Sequence, residues 1–199
     1  MWVKICGMTR LKDARLAQDL GADAIGYIFA KSPRKITPLL ASAISNNIKI
    51  TKVGVFVNKP LEEIQAIRKE CSLDIIQLHG EESPAFCDAL GGKIIKAFRV
   101  KDEKSLARMK DYPMVWKFLL DAFVPGQRGG TGKRINTFLL EKIENPSQII
   151  LAGGLNPENV GQTLKNFSPF GIDVSSGVEK SPGIKDAEKL KNLFYQLNN

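Results

Sequence analysis

The sequence has little of what builds metal centres or disulfide frameworks. Its 199 residues include one histidine, His79, and three cysteines, Cys6, Cys71 and Cys87. The cysteine number is odd and no C-x-x-C pair occurs, so reduced thiols are expected rather than a disulfide scaffold. With so few His and Cys, no zinc-site spacing can be assembled, and no metal is expected. No apolar run approaches the roughly 18 residues of a membrane helix. The opening MWVKICGMTR also lacks the long apolar core of a secretory signal. A soluble, cytoplasmic protein with no membrane partner is expected. Blocks of like charge are missing too. The net charge of +8 comes from 29 Lys and Arg scattered among 21 Asp and Glu. Scattered surplus fits an anionic small substrate better than nucleic acid, whose electrostatic footprint is clustered.

What is present is alternation. Eight short apolar runs rich in Ile, Val and Phe recur: Trp2–Cys6, Ala24–Phe29, Lys52–Val57, Asp74–Leu78, Lys93–Phe98, Val115–Asp121, Gln148–Ala152 and Gly171–Val174. Near-continuous apolarity marks strands buried on both faces, as in parallel sheets. Between them lie stretches of helical period, such as Leu11–Leu20, with Leu11, Ala14, Ala17 and Leu20 on one row. The others are Pro38–Asn46, Leu61–Cys71, Pro84–Leu90, Glu103–Met109, Thr137–Ile143, Pro157–Asn166 and Ala187–Leu197. The βαβα order predicts a parallel α/β fold. Eight units favour a closed (β/α)8 TIM barrel, compact for its class, over a doubly wound sheet. No linker or repeat divides the chain, so residues 1–199 read as one domain.

In a barrel, chemistry sits at the strand ends and in the loops that follow them. By period-two alternation Lys4 and Cys6 point inward, with Cys6 at the mouth. Cys6 reads either as a small buried hydrophobe or as a reactive thiol, which would need a nearby cation. Asp121 ends an apolar strand, as a loop cap or as a general acid or base. Asp173 closes the last strand, to bind a substrate hydroxyl or to order its own loop. Gly153-Gly154 and Ser175-Ser176-Gly177 follow strands seven and eight, where barrels commonly hold a phosphate, although each alone is an ordinary turn. Gly126–Lys133 fails the P-loop pattern, since Gln127 stands where its first glycine should and Arg134 follows the lysine. A flexible loop over the mouth fits that segment better. Arg34 suits a carboxylate, or is a solvated basic residue. His79 is either a substrate contact or a structural hydrogen-bonding group.

These clusters, in this order, resemble the phosphoribosylanthranilate isomerases of tryptophan synthesis. The matching stretches are Lys4-Ile5-Cys6-Gly7-Met8-Thr9, Ser32-Pro33-Arg34, Val53–Asn58, Gln77-Leu78-His79-Gly80, Leu120-Asp121, Gly129–Gly132, Leu151–Leu155, Asp173–Glu179 and Ser181–Asp186. Together they span nearly the whole chain. The resemblance implies a (β/α)8 barrel of the ribulose-phosphate-binding type. It implies an Amadori rearrangement of N-(5-phosphoribosyl)anthranilate to 1-(2-carboxyphenylamino)-1-deoxyribulose 5-phosphate, with no cofactor. By motif, Cys6 becomes the general base and Asp121 the general acid, and Arg34 holds the anthranilate carboxylate. The two Gly/Ser loops hold the phosphate, while His79 and Asp173 contact substrate.

One departure follows the Gly-Thr-Gly. The family commonly has an aromatic, an aspartate and a tryptophan there, and this chain has Lys133-Arg134-Ile135-Asn136-Thr137. It is the one feature favouring an inactive phosphometabolite-binding barrel. Among related phosphosugar enzymes, a histidine-pathway isomerase pairs two aspartates, which Cys6 argues against. An indole-glycerol-phosphate synthase needs a lysine–glutamate pair that no motif here supplies. A monomer is expected over a homodimer.

Overall fold

The computed structural model describes residues 1–122 and 137–198. Eight parallel strands close on themselves in chain order. They are β1 (Trp2–Cys6), β2 (Ala24–Ile28), β3 (Thr51–Phe56), β4 (Ile75–Leu78), β5 (Ile94–Val100), β6 (Lys117–Ala122), β7 (Ile149–Leu151) and β8 (Gly171–Val174). The barrel closes where β1 pairs with β8, with Lys4 opposite Asp173. The helices between are α1 (Leu11–Asp19), α2 (Pro38–Ser45), α3 (Leu61–Glu70), α4 (Pro84–Leu90), α5 (Glu103–Ala107), α6 (Thr137–Leu140), α7 (Val160–Asn166) and α8 (Ala187–Asn198). Among the described residues, no helix is long and apolar enough to cross a membrane.

Local chemistry sets several helix starts. Thr37 and Ser83 accept from Leu40 N (3.3 Å) and Phe86 N (3.2 Å), each just before a proline in the first turn. Asp102 caps α5 in the same manner, accepting from Ser105 N at 2.9 Å. Other ends moved from the expected positions. The Asn156 and Asn159 side chains each accept from the other's backbone N–H at 3.0 Å. That local turn delays α7 to Val160, where the pattern had suggested Pro157.

Two apolar layers result. The outer one, between sheet and helices, includes Val3, Ile5, Ile25, Phe56, Ile76 and Leu120. The inner one fills the barrel with Ala24, Val53, Ile75, Ile95, Ala97, Leu119, Ile150 and Ala152. Trp2, Trp116 and Phe170 pack beneath it, with ring centroids 5.5–6.0 Å apart. Above the inner layer, buried polar side chains replace apolar ones: Lys4, Gln77, Asp121 and Asp173. That change of character marks one mouth of the barrel as the site. After β8, a short hairpin of β9 (Glu179–Ser181) and β10 (Ile184–Lys185) folds beside this mouth, a feature the periodicity did not foresee.

Candidate active site

β1 delivers Lys4 and Cys6 to the interior, as alternation predicts, and Cys6 is only 6% exposed. A Cβ on Gly26, the register neighbour on β2, would lie 2.7 Å from Cys6 Sγ and 3.0 Å from Lys4 Cε. The glycine therefore makes room for the thiol and the lysine stem side by side. Lys4 Nζ donates to Asp173 Oδ2 and to Gln77 Oε1, both at 2.9 Å. A buried ammonium is costly unless paired. Burial pulls the Lys4 pKa down, but Asp173 and then Cys6 more than compensate, so it lies above its usual value. Burial dominates at Cys6 and pushes the thiol up, and Asp173 adds to this, while Lys4 and Lys185 pull the other way. Asp173, expected to meet a substrate hydroxyl or its own loop, spends Oδ2 on Lys4. Its Oδ1 is buried with no hydrogen-bond partner among the described residues.

Asp121 reaches the mouth from β6, three strands from β1 around the barrel, and is 4% exposed. His79, just after β4, turns Nε2 toward it, 3.8 Å from Asp121 Oδ2. The other ring nitrogen, Nδ1, lies 3.1 Å from Gln77 Nε2. Burial first, then Lys4 and Lys96, push the His79 pKa down to about 4, against a smaller opposing effect of Glu82. The imidazole is neutral at pH 7.

The loops after β7 and β8 meet. Gly153 and Gly154 have φ of +90° and +65°, a backbone that other residues rarely adopt. A Cβ on Gly177 would lie 1.9 Å from Leu155 O, so only glycine lets the loops touch. Ser176–Val178 form a 3-10 turn, whose leading N–H groups lack intrahelical partners. Ser175 Oγ is buried without a hydrogen-bond partner among the described residues. Arg34 packs along Gly7, and its Nε and Nη2 hold Glu179 at 2.7–2.9 Å. Nη1 stays outside that pairing. Glu179 also accepts from Lys185 Nζ (3.0 Å) and Gly183 N (3.2 Å). Burial works to raise the Glu179 pKa, but Arg34 and Lys185 outweigh it and hold it low. Lys185 Nζ further donates to Cys6 O (2.5 Å) and Ser175 O (3.1 Å), joining the thiol strand to the serine loop.

The structure thus gathers Cys6, Asp121, His79, Asp173, Arg34 and the Gly/Ser loops at one mouth. It adds Gln77, Glu179 and Lys185, to which sequence reasoning gave no role. All three lie within the motifs quoted for the resemblance, which is the signal that could have found them. A cleft of about 290 Å³ runs from His79 across β5 to α5, past Lys96, Arg99, Lys104 and Arg108. Among the described residues no three His, Cys, Asp or Glu side chains converge as metal ligands. The Gly126–Lys133 segment and the departure at Ile135-Asn136 lie outside the described residues.

A family model for N-(5'-phosphoribosyl)anthranilate (PRA) isomerase matches residues 3–196. A protein of that name from Pelobacter propionicus is 47% identical over 195 residues, covering 96% of this chain and 93% of that one. Among solved structures, the phosphoribosyl anthranilate isomerase from Thermus thermophilus superposes with a TM-score of 0.90 at 40% identity, covering 100% of this chain and 98% of that one. Another isomerase of that name, solved in complex with reduced 1-(o-carboxyphenylamino)-1-deoxyribulose 5-phosphate, gives a TM-score of 0.86 at 35% identity, covering 100% and 98%.

Proposed function

Because this chain belongs to the N-(5'-phosphoribosyl)anthranilate isomerase family, we propose that its barrel mouth divides the family reaction between Cys6 as base and Asp121 as acid. The chain catalyses the isomerisation of N-(5-phosphoribosyl)anthranilate to 1-(2-carboxyphenylamino)-1-deoxyribulose 5-phosphate in tryptophan biosynthesis. The observation that carries the division of labour is one mouth with two buried poles, Cys6 beside Lys4 and Asp121 beside His79.

In this reading Asp121, protonated, donates to the furanose ring oxygen as the C1–O bond breaks, leaving a cationic Schiff base at C1. The iminium acidifies the C2 proton. The Cys6 thiolate removes it, and the C2–H electron pair forms the C1–C2 double bond of an enolamine. Tautomerisation then gives the C2 ketone. Every step is a proton transfer or a bond shift within the substrate, so no electron acceptor is required. Burial keeps the free thiol protonated, so the arriving iminium and the Lys4 ammonium together favour the thiolate when substrate is in place. Acid and base groups so placed contribute typically about 10²–10⁴-fold each.

The substrate's two anions fit the two remaining features. Arg34, fixed by Glu179 along one edge, offers Nη1 and the rest of its fork to the anthranilate carboxylate. The amides of Gly153, Gly154, Ser176 and Gly177, with the Ser175 hydroxyl, take the phosphate. Asp173 Oδ1 takes a ribose hydroxyl. We further infer that residues 1–199 act as one domain, in the cytoplasm, and as a monomer, the last of which sedimentation at working concentration tests.

The experiment is turnover of phosphoribosylanthranilate made in situ from anthranilate and phosphoribosyl pyrophosphate. Its fluorescence loss is followed and the product identified by mass. The expected result is turnover without added metal or cofactor, with kcat lowered by about 10² or more in Cys6→Ser and in Asp121→Asn. Unimpaired turnover in either variant removes that residue from the mechanism.

A further inference from the structure

His79 Nε2 is buried and makes no hydrogen bond among the described residues. An orphaned buried polar atom is uncommon and calls for an explanation. The explanation starts at the far side of the barrel. Lys4 Nζ has only protons to give, so the Gln77 atom facing it at 2.9 Å is the carbonyl oxygen. The Gln77 amide nitrogen, a pure donor, therefore faces His79 Nδ1 at 3.1 Å. A donor against Nδ1 makes that nitrogen the acceptor. In a neutral imidazole the proton must then sit on Nε2, the atom turned toward Asp121.

We propose that Gln77 is a positioning residue which fixes the tautomer of His79, so that a neutral Nε2–H donor faces the Asp121 carboxyl. This rests on the assignment of Asp121 as the acid. As Asp121 gives up its proton, negative charge grows on its oxygens, and the N–H dipole stabilises that charge as it develops. The alternatives are worse for an acid that must start protonated. An imidazolium would ionise Asp121 before substrate opens. The opposite tautomer would set a lone pair against the growing carboxylate. Groups facing the ring from the surrounding elements support the neutral form: Lys4 on β1, Lys96 and Arg99 on β5, and Glu82 after β4, with the first three outweighing the last, while Asp121 faces it from β6. One chain of polar contacts, Lys4–Gln77–His79, thus places a cation beside Cys6 and a neutral donor beside Asp121.

The test exploits the single histidine, because labelling histidine with ¹⁵N reports this residue alone. Long-range ¹H–¹⁵N correlation of the whole chain between about pH 6 and 8 is expected to show one neutral species protonated on Nε2. Gln77→Met removes the donor without adding charge. It is expected to mix the tautomers and to lower kcat by about 10–10²-fold with a smaller change in KM. The pH profile of Cys6 alkylation by iodoacetamide should stay in place, since Asp173 still holds Lys4. Gln77→Glu presents an acceptor to Nδ1 and should drive the proton onto that nitrogen. A wild-type spectrum showing an imidazolium or a proton on Nδ1 overturns the inference, and so does a Gln77→Met enzyme with unchanged kcat. A wild-type protein with the expected tautomer but no isomerase turnover overturns the catalytic reading instead.

Discussion

The contact between the two anion-binding loops can be broken with a single methyl. In Gly177→Ala the new Cβ would stand 1.9 Å from Leu155 O and 2.9 Å from Leu155 C. Ordinary contact begins near 3.4 Å, so the loops must part by about 1.5 Å. The two Leu155 atoms are backbone and the third neighbour, Asn156 Cβ at 2.9 Å, is fixed to it, so no flexible side-chain end can give way. Overpacking of this kind costs about 1–3 kcal/mol of stability. The larger effect falls on binding, because the proposed phosphate amides lie on both loops and must converge on one ion. Loss of one charge-assisted bond is worth about 1.5–3 kcal/mol, or about 10–10²-fold in kcat/KM. A matched control lies nearby on α7, where a Cβ on Gly161 meets only Gln196 Oε1, at 3.9 Å. Glycine in a helix costs up to about 1 kcal/mol relative to alanine, so Gly161→Ala should raise Tm by a few degrees with kinetics unchanged. Steady-state kinetics and thermal melts on both variants decide the matter. A Gly177→Ala enzyme with wild-type kcat/KM and Tm would refute both the loop contact and the phosphate assignment built on it.

Cys6→Ser and Asp121→Asn should each lower kcat by about 10² or more with substrate binding largely kept, as single-turnover rates would show. Arg34→Ala should act mainly on KM, and Glu179→Gln should raise KM less, because it loosens the guanidinium without removing it. An Arg34→Ala enzyme with unchanged KM ends the carboxylate assignment. Acid should destabilise the protein in two stages, read by urea midpoints against pH. His79 has a folded pKa near 4, below its ordinary 6.5, so its contribution is present above pH 6.5 and lost as pH falls toward 4. The gap corresponds to about 3 kcal/mol, and His79→Gln should flatten that stage. Glu82 and Glu179 are also held low, so their share persists until pH falls below the ordinary glutamate range. A midpoint independent of pH between 7 and 4.5 in the wild type contradicts the first stage.

The strands were legible because a barrel strand is buried on both faces and so reads as an unbroken apolar run. Alternation then told which residues of β1 turn inward, and Lys4 and Cys6 do so. Ends were less legible, since they depend on local bonds such as the Asn156–Asn159 pair rather than on periodicity. The hairpin of β9 and β10 was invisible, because strands of three and two residues carry no pattern. The partners within the site were hidden for a different reason. Gln77 meets Lys4 from 73 positions away and Arg34 meets Glu179 from 145, and no local signal encodes such distances. Residue type left Arg34 as a carboxylate binder or a solvated basic residue, and only the family resemblance made it the anthranilate-carboxylate ligand, with which its engagement with Glu179 is compatible. It gave no hint that one edge of the guanidinium is held by the protein itself.

Among the described residues three ammonium groups are buried around this mouth, each against a carboxylate: Lys4 with Asp173, Lys96 with Glu82 and Lys185 with Glu179, at 2.8–3.0 Å. Buried pairs are a poor source of stability, because desolvation offsets most of the attraction and apolar replacements often do as well. Their use here follows from what else they hold. Lys96 donates to Leu78 O and Gly80 O, fixing the turn that carries His79. Lys185 ties Cys6 O to Ser175 O. Among the described residues Lys4 bonds the side chains of Asp173 and Gln77, and it lies where its charge reaches Cys6. Lys4 and Lys96 are each offset by a carboxylate of their own, while Lys185 and Arg34 share Glu179. The surplus positive charge is thus that of Arg34, and the three lysine pairs themselves add little net field for an incoming dianion. That task falls to Arg34, the loop amides and the scattered surplus of positive charge, while the buried pairs set where the base, the acid and the imidazole stand.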